Sequence, residues 1–232
     1  MAGMIDIKTL DGAETFSAYC ARPAGTPKAA IIVIQEIFGV NPGIRAKCDH
    51  WAKLGYLALA PDMFWRVQPG VELDPDVPEE LQEAFGLMQK YDSDVGIRDV
   101  EATIRHARKM VDGGKVGIVG YCLGGRTAYL AATRTDVDAS VGYYGGGIDT
   151  MLHEAHAIAN PLMLHFAELD HFITADKVAK IEAALADNRH ATIHRYPGVD
   201  HGFATETGKR RSDAAAKLAD SRTEAFFAEH LK

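Results

Sequence analysis

Apolar residues along this chain alternate between short continuous runs and longer stretches with helical spacing. Residues 5–8 and 16–21 read as two strands joined around Asp11-Gly12, a dipeptide suited to the positive φ angles of a hairpin turn, so an antiparallel start is expected. Residues 29–34 are continuously apolar, as expected of a central parallel strand covered on both faces. Further strands are predicted over 56–60, stopped by Pro61, and over 116–119, 139–144, 161–166 and 192–196. Between them the pattern changes period. A helix of about a dozen residues ends near Lys53. Others are predicted over 79–89 and over 94–111, where Ile97, Val100, Ile104, Ala107 and Val111 fall on one face. Residues 127–132 and 176–186 read as helices, and Ser212 is placed to cap a terminal helix carrying Ala216, Ala219, Thr223 and Phe226.

Strands alternating with helices imply an α/β fold: a mostly parallel, doubly wound sheet of about seven to eight strands with an antiparallel N-terminal hairpin and helices on both faces. Residues 67–78 are rich in Pro and Asp, and 67–92 reads as an excursion over the site. With no internal repeat, linker or low-complexity segment, residues 1–232 are expected to form a single domain.

Composition narrows the function. Hydrophobic residues make up 47% and charged residues 25%, as in ordinary globular proteins, so large-scale disorder is not expected. A formal net charge of -7 gives no general attraction to nucleic acid or anionic membrane, and a small-molecule partner fits better. Cys20, Cys48 and Cys122 are odd in number and unrelated in spacing, which indicates neither a disulfide framework nor a zinc site. The N-terminus lacks a secretory pattern and no apolar run approaches membrane-spanning length. A cytoplasmic monomer without membrane or nucleic-acid partners is expected.

The chemistry centres on Gly120-Tyr121-Cys122-Leu123-Gly124-Gly125, which lies between a predicted strand and a predicted helix. A nucleophile flanked by glycines two residues away on each side is the nucleophile elbow of α/β-hydrolases, with cysteine in place of serine. Glycine is required because strand and helix approach too closely for a Cβ, and the helix N-terminus aimed at Cys122 favours a thiolate. Taken alone, the motif also fits a buried structural cysteine. Asp170 and His201 follow at the ends of two later predicted strands, in the chain order nucleophile, acid, histidine expected of such a triad. His171 and His165 are assigned to structure.

Gln35-Glu36-Ile37-Phe38-Gly39, the elbow, Val141-Gly142-Tyr143-Tyr144-Gly145 and Asp200-His201-Gly202-Phe203-Ala204 together resemble the dienelactone hydrolase family over almost the whole chain. The resemblance implies a cysteine hydrolase of the α/β-hydrolase fold that opens the lactone ring of carboxymethylenebutenolides in aromatic-compound breakdown, with no metal or organic cofactor. Cys122 would attack, His201 would carry the proton, and Asp170 would orient the imidazole. The N–H groups of Leu123 and Ile37 would hold the oxyanion. Glu36 would hold the resting thiol and take its proton when substrate arrives, or else form a structural salt bridge with a residue such as Arg45. Phe38 and Tyr144 are candidate pocket walls, or else core, and Phe203 and Arg66 are further substrate-binding candidates.

Two rivals come from other classes. Cysteine-type glutaminases share the elbow, but there a glutamate follows the histidine by two residues, where Phe203 stands here. A redox-sensing cysteine protein needs only an exposed low-pKa thiol and gives no reason for Asp170 and His201. A carboxylesterase or thioesterase acting on a neutral ester is the alternative within the hydrolases. It gains weight because the two arginines with which the family holds its substrate carboxylate are not evident: Leu81 and Thr205 stand where they are expected. The sequence therefore predicts that a carboxylate-bearing lactone loses its advantage over the neutral methyl ester, unless Arg66 or residues 209–211 compensate.

Overall fold

The computed structural model describes residues 2–206 and 208–232. β1 (Ala2–Lys8) and β2 (Thr15–Ala21) pair antiparallel with Lys8 opposite Thr15. The connecting loop differs from the expected tight turn. Only Gly12 takes a positive φ (71°), while the Asp11 carboxylate accepts bonds from the Thr9 hydroxyl (2.7 Å) and the Ala13 N–H (3.1 Å). Asp11 thus shapes the loop through its side chain.

β3 (Ala30–Ile34), β4 (Leu57–Pro61), β5 (Val116–Tyr121), β6 (Ala139–Tyr143), β7 (Leu162–Ala167) and β8 (Ala191–Tyr196) run parallel. The eight-stranded sheet has the order β1-β2-β4-β3-β5-β6-β7-β8. β3 to β7 are buried at every residue, which is why they are built almost wholly of apolar residues, with Ser140 in β6 and His165 in β7 as buried polar exceptions. β4 begins one residue later than predicted and includes Pro61, opposite Ala18 at the end of the pairing with β2. A proline is tolerated at that terminal position.

The helices are α1 (Pro42–Lys53), α2 (Pro78–Lys90), α3 (Ser93–Met110), α4 (Leu123–Arg134), α5 (Ala175–Leu185) and α6 (Asp213–His230). Two positions of β5 show how they cover both faces. A Cβ on Gly117 would meet Phe227 of α6 at 2.7 Å, and a Cβ on Gly120 would meet the Gly124 carbonyl oxygen of α4 at 1.9 Å. Residues three apart on a strand point to opposite faces, so α6 and α4 lie on opposite sides. α1 joins α6 through Trp51 and Phe227, whose rings are 5.4 Å apart, and α3 packs on α4.

Ser212 does precede α6, but its side chain makes no cap bond; its carbonyl accepts the Ala216 N–H (2.8 Å). Two short 3₁₀ segments, Ile148–Thr150 and Leu152–Ala157, were not anticipated, being too brief to show a helical period. Among the described residues no helix is long and apolar enough to cross a membrane, and no three His, Cys, Asp or Glu side chains converge as a metal site.

Candidate active site

Cys122 sits between β5 and α4 with φ 54° and ψ -110°, one of three non-glycine residues with positive φ among the described residues. A branchless neighbourhood makes this geometry possible. A Cβ on Gly124 would lie 2.4 Å from the Ile34 carbonyl oxygen, as impossible an approach as that at Gly120. The turn is tied on both sides: the Cys122 N–H donates to the Tyr143 carbonyl (3.0 Å) and the Gly124 N–H to that of Gln35 (3.1 Å). The thiol is therefore presented by strained backbone at the positive end of α4.

His201 and Asp170 arrive from loops after β8 and β7. His201 Nδ1 lies 2.8 Å from Asp170 Oδ2, and both side chains are buried. Asp170 Oδ1 accepts the N–H groups of Phe172 (2.9 Å) and Ile173 (3.0 Å), which fixes the carboxylate. The imidazole lies between the rings of Tyr144 and Phe172, each 5.0 Å away. Burial alone would lower its pKa, but the negative charge of Cys122 and the Asp170 hydrogen bond outweigh it and push His201 up to about 10.

Glu36 is buried beside them. Burial raises its carboxyl pKa; the charges of His201 and Lys47 and the Thr205 hydroxyl, 3.3 Å from Oε2, oppose that rise. The Tyr144 hydroxyl is buried without a partner in bonding geometry, yet its dipole also favours the Glu36 carboxylate. Ile37 and Leu123 border the same space, and neither N–H is a donor among the described hydrogen bonds. These groups open into a cavity of roughly 260 Å³ closed on one side by Leu81, Phe85 and Met88 of α2. Their spacing puts the three on one helix face, and Ala84 and Leu87 anchor α2 below.

A dienelactone hydrolase family model matches residues 16–231. The chain belongs to the dienelactone hydrolase family. It is 43% identical over 230 residues to a protein of Azospirillum brasilense provisionally described as a carboxymethylenebutenolidase, covering 98% of this chain and 100% of that one. It is 38% identical to the carboxymethylenebutenolidase of Pseudomonas putida, covering 97% and 95%. A crystal structure from Klebsiella pneumoniae provisionally described as a dienelactone hydrolase superposes with a TM-score of 0.85 at 30% identity, covering 99% and 98%.

In this member of the family, Cys122, His201, Glu36, Ile37, Leu123 and Phe38 all border the cavity, and Asp170 lies behind His201. Three substrate-binding expectations are corrected. Arg66 lies outside the cavity lining, stacked on Trp65 and bonded to Asp99 through Nε (3.0 Å) and Nη2 (2.9 Å), with Glu14 beyond. Phe203 is fully buried against Tyr144 and Tyr196 and serves the core. Tyr144 is also fully buried, beneath Glu36 and His201 rather than along the wall. Arg45 pairs with Glu72, not with Glu36. Leu81 and Thr205 do line the cavity, so both positions face substrate space without a cation.

Sequence reasoning missed Arg126, which also lines the cavity, although a signal existed: it stands four residues after Cys122, one helical turn on and hence on the same side. Of the residues 209–211 offered as compensating cations, Arg210 lines the cavity, from the loop after His201.

Proposed function

We propose that this enzyme hydrolyses the ester bond of a lactone of the dienelactone type through a Cys122–His201–Asp170 triad. The observation that carries this reading is the convergence, at one cavity, of a strained cysteine on a helix N-terminus and a histidine already held by a buried aspartate. His201, pushed up to about 10, retains a proton beside the Cys122 thiolate, so an ion pair is the attacking form. The sulfur bonds to the ester carbonyl carbon, and the electron pair of the C=O moves to oxygen, where the N–H groups of Ile37 and Leu123 stabilise it. Collapse breaks the ring C–O bond, and the leaving oxygen takes the proton from His201, directly or after departing as an enolate. Water, deprotonated by His201, then adds to the thioester carbonyl, and the C–S bond breaks to give the carboxylic acid and Cys122.

Glu36 acts as the third proton site. Its burial favours the neutral acid, and ionisation of Glu36 beside Cys122 opposes the thiolate.

The test is turnover of a lactone panel by Cys122→Ala and His201→Ala. Each should remain folded and lose at least about a thousandfold in kcat. Turnover retained by folded Cys122→Ala removes the triad.

A further inference from the structure

A second cavity, of roughly 300 Å³, lies on the face of the sheet opposite α4. Tyr121 opens onto it, four residues along β5 from Gly117 and so on the same face, toward α6. Lys47 of α1 is buried there. Its Nζ lies 4.4 Å from the centre of the Tyr121 ring, one residue before Cys122, and 3.1 Å from Glu206 Oε1. The chain at Thr205 and Glu206 separates the two cavities: Thr205 lines the first and donates to Glu36 Oε2 (3.3 Å), and Glu206 lines the second. Arg211 ties this partition down, donating through Nη1 to the Thr205 carbonyl and to Glu206 Oε1, both at 3.2 Å, and through Nε to Asp213 (2.8 Å). A lysine is almost never buried without negative partners. Three carboxyl groups face this one, Glu206, Asp220 of α6 and, across the partition, Glu36, and its charge works against the effect of burial on each.

We propose that Lys47 is a positioning residue for the reaction: from the second cavity it sets the pH at which Glu36 ionises, and Glu206, by pairing with Lys47, moderates that effect. This rests on Glu36 being the proton site beside Cys122. Glu206 and Asp220 have close partners of their own, the Lys47 ammonium for one and the Tyr143 hydroxyl (3.0 Å) for the other. Glu36 is held by a neutral hydroxyl, with no cation in ion-pair contact among the described residues, so it responds most to charge acting through the protein interior, where screening is weak. Around it stand His201 after β8, Cys122 after β5, Tyr144 after β6 and Lys47 of α1; Asp76, Arg126 and Arg210 also border its cavity. His201 gives up its proton during turnover and takes it back, whereas Lys47 takes no part in the transfers. Lys47 is thus the constant charge against which Glu36 is poised. On the far side, Lys217 and Glu224 of α6 and His50 of α1 line the second cavity, and His50 pairs with Glu224 at 2.8 Å.

Infrared titration of the resting enzyme tests it, through the carbonyl stretch of the protonated Glu36 carboxyl, identified by its loss in Glu36→Gln. Lys47→Met should move the disappearance of that band to higher pH by at least about half a pH unit, Glu206→Gln should move it to lower pH, and Lys47→Arg should stay near wild type. Glu206 is part-exposed, so Glu206→Gln keeps the fold and carries the test by itself if Lys47→Met does not fold. Coincident titrations in wild type and either folded variant overturn the proposal. Alkylation of Cys122 by iodoacetamide supplies the second readout: Lys47→Met should shift its pH profile when Glu36 is present and leave it unchanged in the Glu36→Gln background. A shift that persists without Glu36 overturns the route through Glu36. The infrared band reports Glu36 without substrate, so the two readings fail separately. Unmoved bands with Cys122→Ala inactive overturn Lys47 alone; bands that move as expected with Cys122→Ala still active uphold the coupling and remove the triad.

Discussion

Tyr143 and Tyr144 are neighbours in sequence and belong to opposite regimes. The Tyr143 hydroxyl donates to Asp220 (3.0 Å) and meets the Thr223 hydroxyl at 2.7 Å; Thr223 lies 3.1 Å from His165 Nε2, and His165 Nδ1 lies 2.8 Å from the Tyr196 hydroxyl. Arg222 closes the chain by donating to Tyr196 (3.1 Å). Tyr144, one residue on, has a positive φ of 36° and a buried hydroxyl with no partner, and it faces Glu36 and His201. One side of the sheet end thus carries a completed polar network, and the other carries strain and unmet bonding capacity. Completed networks hold a fold rigid; unmet donors and strained backbone persist where a ligand or a reaction uses them.

The largest expected effect lies on the reactive side. Asp170→Asn retains an oxygen for the Phe172 and Ile173 N–H groups but presents the wrong partner to His201 Nδ1, so kcat should fall at least about a thousandfold with the fold intact. Steady-state turnover with a thermal melt checks both halves. If Asp170→Asn stays active, the two regimes are not distinct in function.

The network side should respond in the opposite way. Thr223→Val removes a partner from both the Tyr143 hydroxyl and His165; Tyr143 keeps Asp220, so the variant should cost roughly 1 to 3 kcal/mol in denaturant unfolding, for the one group left orphaned, His165 Nε2. Turnover of the folded fraction should stay within about twofold. A large fall in kcat without a stability loss would show that the network belongs to the chemistry.

Glu36→Gln gives the smallest effect and the sharpest one in pH. Because burial raises the Glu36 pKa, the native state holds a proton that the unfolded chain releases in the ordinary carboxylate range. Stability therefore falls as pH rises through that range to the raised value, and Glu36→Gln should abolish this loss, melting a few degrees higher at alkaline pH and alike at acid pH. Iodoacetamide should also alkylate Cys122 several-fold faster in the variant than in wild type above that range, while lactone turnover slows. Equal melting and alkylation profiles would return Glu36 to a structural role.

Much of the fold was legible because burial on both faces leaves a direct trace. β3 to β7 appear as mostly apolar runs, and the elbow glycines announce a backbone approach that no Cβ survives. The order of Cys122, Asp170 and His201 was equally readable, because each follows a predicted strand. Side-chain direction was not. Arg66 follows two aromatic residues near the site in sequence, but Asp99 on α3 draws it away. Phe203 and Tyr144 stand close to His201 yet are fully buried, because the backbone turns at Gly202 (φ 81°) and at Tyr144 itself (φ 36°), and sequence spacing does not mark such turns. Ser212 marks where α6 begins without its hydroxyl making the cap, because the backbone carbonyl alone satisfies the first turn.

The central claim is that Cys122 becomes acylated during turnover. Rapid acid quench of wild type mixed with excess lactone, followed by intact mass and peptide mapping, tests it directly, with Asp170→Asn as a variant in which the intermediate should persist longer. The account predicts a transient mass increase equal to the ring-opened acyl group, mapped to Cys122 and released by hydroxylamine. Full turnover with no adduct on Cys122 at any quench time, or an adduct that maps to another residue, contradicts it.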